Sequence, residues 1–469
     1  MESGKTASRS STNRVLAFIV LPAVLLANVL CALGPAPAEP PTAVGEARRF
    51  LLLDGHDKHD SWGPMQRALA ELKQHPEDSL YGRLFFTQKI KFQYPPSSLL
   101  PIKAVTQLPE VFVRGYRALN GISLLAVWFT IALCGPILLR AGQPSGPQSV
   151  GDKRVTLVLT AILALLFQPL VRAYNLGQIQ AWLNALFALA VLFWLTDRQH
   201  LAGVAVGLIC VIKPQLLLFV AWGALRRRWR FVGACLTVLL GVGALSVLMF
   251  GWRNHLEYLT VLSFIGRRGE GFFPNQSING LLNRLLGGPG SAEWNPYGFP
   301  VYNAVVHWGT VVTSGLLVVA ALFWRRREHT AASAVDFVIA GLTFTMASPV
   351  AWEHHFGVLA PIFALAFPLF RAHRPLGVLT LPLLLICFIG ASASIPGARL
   401  LPWSPMAIVL QSNLFVAAIF FLALLFRLRG AIAVPAPARD KDAERAEADA
   451  TDDAHTPFEP RLIESGGWD

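Results

Sequence analysis

Residues 201–225 read LAGVAVGLICVIKPQLLLFVAWGAL, and Arg226, Arg227 and Arg228 follow at once. A helix that crosses a bilayer needs about 20 apolar residues, so the stretch is long enough to cross. It carries one charge, Lys213, directly before Pro214 and Gln215. Proline removes a backbone donor, and a lysine in hydrocarbon is costly unless it faces a polar cavity. The sequence therefore predicts two short half-helices that meet at Lys213 near one membrane surface and return the chain to its starting side.

On either side of this stretch, apolar segments recur at 15–33, 119–139, 155–171, 179–195, 231–250, 301–324, 335–347, 356–370, 376–391 and 405–426. Charged residues make up 14% of the chain and hydrophobic residues 54%, where a soluble domain carries about 25% charged residues. The expected fold class is an all-α polytopic membrane protein with about 10–12 transmembrane helices. The net charge of +12 is concentrated where helices end, in Arg226 to Arg230 and in Arg325, Arg326 and Arg327, which argues for cytoplasmic loops and against nucleic acid as a partner. The first apolar run follows Lys5, Arg9 and Arg14 and lacks a small-x-small cleavage site, so it reads as a retained helix rather than a signal peptide. The five cysteines lie inside apolar runs without paired spacing and read as small core residues.

With a cytoplasmic N-terminus, the short inner connections hold the arginine clusters, Arg198, Arg371, Arg374, Arg427 and Arg429, while the outer ones hold little beyond Arg172, Lys213 and Arg399. Two long connections, 34–118 and 251–300, then fall on the outer face. In the first, Met65, Leu69 and Leu72 recur at helical spacing among charged residues, as in a helix lying on the membrane or one packed on the loop. Residues 1–430 form the membrane domain, and the Ala/Pro-rich, charged 431–469 reads as a disordered cytoplasmic tail.

The polar residues that could do chemistry converge on the outer side. They are His56, Asp57, His59 and Asp60 after the first helix, Tyr94-Pro95-Pro96, Asn175-Leu176-Gly177-Gln178, Lys213-Pro214-Gln215, Asn275-Gln276-Ser277-Ile278-Asn279-Gly280, and Ser348-Pro349 through Trp352-Glu353-His354-His355. One such motif is an ordinary polar loop, whereas six connections carrying acids, amides, imidazoles and a lysine suggest one polar cavity. In this order, over roughly residues 54–429, the motifs resemble glycosyltransferase family 87, membrane mannosyltransferases of the GT-C superfamily that use a polyprenyl-phosphate sugar as donor. The resemblance implies a GT-C-like bundle whose extracytoplasmic loops form the active site, in the plasma (inner) membrane with both termini cytoplasmic. It also implies transfer of a hexose, mannose by expectation, to a lipid or glycan acceptor.

Such transfer needs a base for the acceptor hydroxyl and positive charge for the departing phosphate. The family places a carboxylate just after the first helix, which selects Asp60, with Asp57 as the rival. This chain departs from the pattern there, since Ser61-Trp62-Gly63-Pro64 stands where an aromatic followed shortly by tyrosine is typical. Asp60 as a plain cap of the helix starting near Pro64 is the structural alternative. Lys213, His354, His355, Arg267 and Arg268 are the candidates for the donor phosphate. Tyr94, Asn175, Gln178, Gln215, Asn275, Gln276, Asn279 and Glu353 are those for sugar and acceptor, amides being able both to donate and to accept. Glu353-His354-His355 lacks the i, i+4 spacing of zinc pairs, and neither a metal nor another cofactor is expected. The rival readings are a ligase or polymerase working from a diphosphate-linked glycan, and a secondary transporter with its site at the Lys213 break.

Overall fold

The computed structural model describes residues 12–32, 42–106, 116–142, 149–324, 330–392 and 402–433. The Arg325 to Arg327 cluster, Arg399 and the tail beyond 433 lie outside the described residues; the last helix, Asn413–Ala433, runs three residues past the expected start of the tail. The described residues form an all-helical bundle, and their one β feature is an antiparallel bridge between Asn275 and Trp352.

Among the described residues, six helices are long and apolar enough to cross a membrane: Thr12–Cys31, Arg117–Ala141, Trp229–Phe250, Ala304–Phe323, Glu353–His373 and Asn413–Ile432. Val150–Leu165 and Gln168–Asn175 add a seventh if counted as one span bent by 59°, and Pro169, in the first turn of the second piece, accounts for the bend. The remaining apolar segments form shorter helices, among them Gln180–Leu195, Gln199–Ile212 and Pro214–Leu225. Among the described residues the count of full-length spans is thus lower than the apolar segments predict, and breaks at Pro169 and at Lys213-Pro214 divide two of those segments.

The stretch 201–225 breaks where expected. Gln199–Ile212 ends at Lys213, a 3-10 turn covers Pro214–Leu217, and Leu218–Leu225 follows. Trp222, near the end of the stretch, packs on Trp194, just before its start, with ring centroids 5.3 Å apart, and Phe231 joins them 5.5 Å from Trp194. Both ends of the stretch therefore lie at one level of the bundle and Lys213 is the tip of a hairpin.

The end that holds Trp194 and Trp222 is tied by a buried charge cluster. Asp336 accepts from Arg226 Nε at 2.6 Å and Trp222 Nε1 at 3.0 Å, and pairs with Arg429. Arg226 also donates to the carbonyls of Leu322 and Ala321 at 2.6 and 2.9 Å. The polar motifs gather at the other end, around two cavities. The helix Trp62–Gln74 does not lie on the membrane: Met65 is fully buried and Leu69 and Leu72 pack against the core. An exposed apolar face is instead carried by Trp252–Arg268, through Trp252, Leu256 and Leu259.

Candidate active site

Asp60 lies in a short loop that the turn after Gln168–Asn175 holds by its backbone. The amides of Asp60 and Ser61 donate to the carbonyls of Leu176 and Gly177, each at 3.1 Å. Gly177 has φ +69°, and a Cβ there would lie 2.3 Å from the Lys58 carbonyl oxygen, so only glycine allows this approach. From the transmembrane helix Arg117–Ala141, Asn120 donates to the carbonyls of His56 and Lys58 at 2.9 and 2.7 Å and accepts from Trp62 Nε1 at 2.7 Å. The loop is therefore fixed from both flanks.

The Asp60 carboxylate accepts a hydrogen bond from the Gln178 amide nitrogen. Gln178 Oε1 in turn accepts from Ser61 Oγ at 2.5 Å and Tyr94 Oη at 3.2 Å. Asp60 opens into a cavity of about 660 Å³ whose lining also includes Glu46, Arg49, Lys58, His59, Arg67 and Arg172. Arg172 bridges two acids, with Nη1 2.7 Å from Glu46 and Nε 3.0 Å from Glu353. The surrounding protein raises the Asp60 carboxyl above the ordinary aspartate range, against the downward pull of Gln178, His59 and Arg172. Asp57 is exposed at the surface, 2.8 Å from His56 and 3.2 Å from Arg117, and does not line this cavity.

The other expected site residues separate into groups. Asn175 lines the Asp60 cavity, and its amide donates to the Glu46 carbonyl at 2.9 Å and to the Glu46 carboxylate. Lys213, Gln215 and His355 line a different, small cavity of about 20 Å³, room for about one water. His354 is buried beside His355, the rings perpendicular at 4.9 Å, and its Nε2 has no hydrogen-bond partner among the described residues. Glu353 joins the Asp60 cavity indirectly, through Arg172.

Asn275, Gln276 and Asn279 are fully buried, and their amides are taken up by the framework. Asn275 donates to the carbonyls of Glu270 and Pro349 at 2.7 and 3.1 Å and accepts from the Ala351 amide at 2.9 Å. Gln276 donates to the carbonyls of Phe273 and Gln411, and Asn279 accepts from the Glu270 amide. These bonds fasten the second long connection to the segment before Glu353. Arg267 and Arg268 end the helix Trp252–Arg268, with Arg268 over the Phe264 ring at 4.7 Å, and neither lines the Asp60 cavity. The cations that do, Arg49, Lys58, Arg67 and Arg172, were not among the expected site residues. Arg172 alone carried a signal, as a charged residue in an outer connection otherwise poor in charge.

Residues 92–349 match the sequence profile of glycosyltransferase family 87. The chain belongs to glycosyltransferase family 87. The match begins just before Tyr94 and ends at Pro349, so within this family 87 chain Asp60 and Glu353 to His355 fall outside it. Among curated proteins, two relatives share the name polyprenol-phosphate-mannose-dependent alpha-(1-2)-phosphatidylinositol pentamannoside mannosyltransferase. The one from Mycolicibacterium smegmatis is 28% identical over 327 residues, covering 68% of this chain and 67% of the relative. The one from Mycobacterium tuberculosis is 25% identical over 336 residues, covering 70% and 66%. The chain thus spans about two thirds of the length of each relative. Family 87 membership and the helical bundle together make it a multi-pass membrane protein of a glycosyltransferase family.

Proposed function

We propose that the protein is an inverting mannosyltransferase that moves mannose from a polyprenyl-phosphate donor to a hydroxyl of a lipid or glycan acceptor. The single observation that carries this reading is Asp60, held by Gln178 at the wall of a solvent-open cavity rich in cations. Asp60 takes the proton of the acceptor hydroxyl as its oxygen attacks the anomeric carbon, and the sugar–phosphate bond breaks on the opposite face. The transition state has oxocarbenium character, and the charge that develops on the departing phosphate needs donors already in place. Arg49, Lys58, Arg67 and Arg172 outnumber the carboxylates of Glu46 and Asp60 in this cavity, which favours an anionic ligand. On this reading the phosphate role passes to these four from Lys213, His354, His355, Arg267 and Arg268, none of which lines the Asp60 cavity.

The names of the two relatives support the donor and a lipid-linked acceptor. On this reading residues 1–430 are the catalytic membrane domain, with 34–118 and 251–300 as extracytoplasmic connections, and 431–469 is a cytoplasmic tail. The enzyme resides in the plasma (inner) membrane with the Asp60 cavity outside and the Asp336 cluster near the cytoplasm, as the arginines around Asp336 support. The test is transfer from radiolabelled polyprenyl-phosphate mannose to a lipid extract of the protein's own membrane, comparing wild type with Asp60→Asn. The wild type labels a lipid product, and the variant loses about 100- to 10,000-fold in kcat, the range of general-base contributions. A variant at wild-type rate removes Asp60 as the base, and a wild type active only with a diphosphate-linked donor removes the reaction.

A further inference from the structure

Gln178 stands in the resemblance as a sugar or acceptor ligand, but its side-chain oxygen is taken by two hydroxyls and its amide nitrogen is bonded to Asp60. The amide of Ile179 donates to Ser61 Oγ at 3.1 Å, so the Ser61 proton is free to go to Gln178 Oε1, 2.5 Å away. Tyr94 Oη reaches the same oxygen at 3.2 Å and Ser61 Oγ at 3.0 Å. With its carbonyl held by two hydroxyls, Gln178 can present only its NH₂ group to Asp60, and it does so at Oδ2. Every bond in this chain points the same way, from the Ile179 amide through Ser61 and Gln178 into the carboxylate. Such a chain suits the anion, because an ionised carboxylate accepts only, and it would oppose a proton on Oδ2.

We propose that Gln178 is a positioning residue that keeps Asp60 ionised and leaves Oδ1 as the oxygen that receives the acceptor proton. The proposal rests on the reading of Asp60 as the base. Ser61 and Tyr94 act one step further out, by fixing the amide's orientation. Gln178 opposes what enclosure in protein does to Asp60, since burial raises the carboxyl and the Gln178 bond lowers it. Other charges also face Asp60: Lys58 and His59 from its own loop, Glu46 and Arg49 from Ala43–Leu51, Arg67 from Trp62–Gln74 and Arg172 from Gln168–Asn175. The measurement must therefore see the Asp60 carboxyl itself.

The experiment is an infrared pH titration of the purified protein, following the protonated-carboxyl band that Asp60→Asn abolishes, together with the pH profile of kcat for mannose transfer from radiolabelled polyprenyl-phosphate mannose. Gln178→Met removes the donor at similar size. It moves both the band's midpoint and the acid limb of kcat up by about one pH unit, as loss of one hydrogen bond to a charged group implies. The KM for the donor stays unchanged. Tyr94→Phe, which removes one oxygen, moves both in the same direction by less, and covers the case in which Gln178→Met does not fold. Gln178→Glu moves them further, since two adjacent carboxyls must share a proton. An unmoved Asp60 band in Gln178→Met and Gln178→Glu overturns the proposal, as does a raised donor KM with an unmoved acid limb, the mark of a ligand. Failure of the base reading shows differently, as full transfer by Asp60→Asn, and the infrared midpoint reads the positioning role without any substrate.

Discussion

Asp60 is a carboxylate in a place that does not favour one, and that has a sign that can be measured. Protein atoms crowd the Asp60 carboxyl even though the residue is open to the cavity, and this lifts its folded pKa above that of the unfolded chain, near 3.9 for aspartate. The protonated form is then the better one for the fold, so the stability it contributes is fully present below the unfolded pKa and is lost as pH rises through the folded value. At neutral pH the charge costs stability. Asp60→Asn should therefore melt at a higher temperature than wild type in detergent at pH 7, with the difference shrinking as the pH approaches 4, while transfer is lost. An Asn275 substitution should behave in the opposite way. Its side chain bonds two carbonyls and one amide in a fully buried position, and since Ser277 Oγ still reaches the Pro349 carbonyl, Asn275→Ala leaves the Glu270 carbonyl and the Ala351 amide unpaired and should cost about 2–5 kcal/mol. Detergent-solubilised protein would lose thermal stability and yield, but the fraction that folds would keep its donor KM. A raised KM at unchanged stability would return Asn275 to the sugar.

Elements carry a different kind of information, and here the sequence was legible in part. The Lys213-Pro214-Gln215 break was visible in one line of sequence because proline and a mid-membrane charge have few structural interpretations. The spacing of Met65, Leu69 and Leu72 showed a helix but not what covers it, since the same pattern serves a lipid surface and a protein core. Nor could the pattern show that amides 275–279 turn inward. Asn in a polar loop looks alike whether it bonds a ligand or its own backbone. The Glu46–Arg172 pair spans 126 residues of sequence, and nothing in either neighbourhood points to the other. How closely the hairpin packs is similarly hidden until the helices are in place. A Cβ on Gly203 would lie 2.3 Å from the Phe231 carbonyl oxygen on the adjoining helix Trp229–Phe250. Gly203→Leu should force these helices apart, lowering the melting temperature by several degrees. Gly233→Leu on the same helix pair, with nothing within 4 Å of its Cβ, should be tolerated, and equal losses in both variants would contradict the close approach.

For the whole molecule, division of labour between the two ends is the main result. One end holds an acid in an open, cation-lined cavity, and the other holds an acid closed in by two arginines and a tryptophan. Asp336 is 4% exposed and bonded on both oxygens, whereas Asp60 faces solvent and has one oxygen engaged by Gln178. Removing one partner of a buried pair leaves the other charge uncompensated, at about 3–5 kcal/mol. Asp336→Asn should therefore sharply reduce the amount of folded protein recovered by size-exclusion chromatography, and transfer per folded molecule should stay at the wild-type rate. A kcat loss larger than the loss of folded protein would mean that the two ends communicate.

The width of the Asp60 cavity has one more consequence. A base beside bulk solvent can deprotonate water as readily as an alcohol. On the proposed reading, donor bound without acceptor is exposed to hydrolysis, with free mannose as the waste product. Order of arrival then governs fidelity: the acceptor must displace water from a space of about 660 Å³ before the sugar is released, and the cations that draw in anionic groups help determine which comes first.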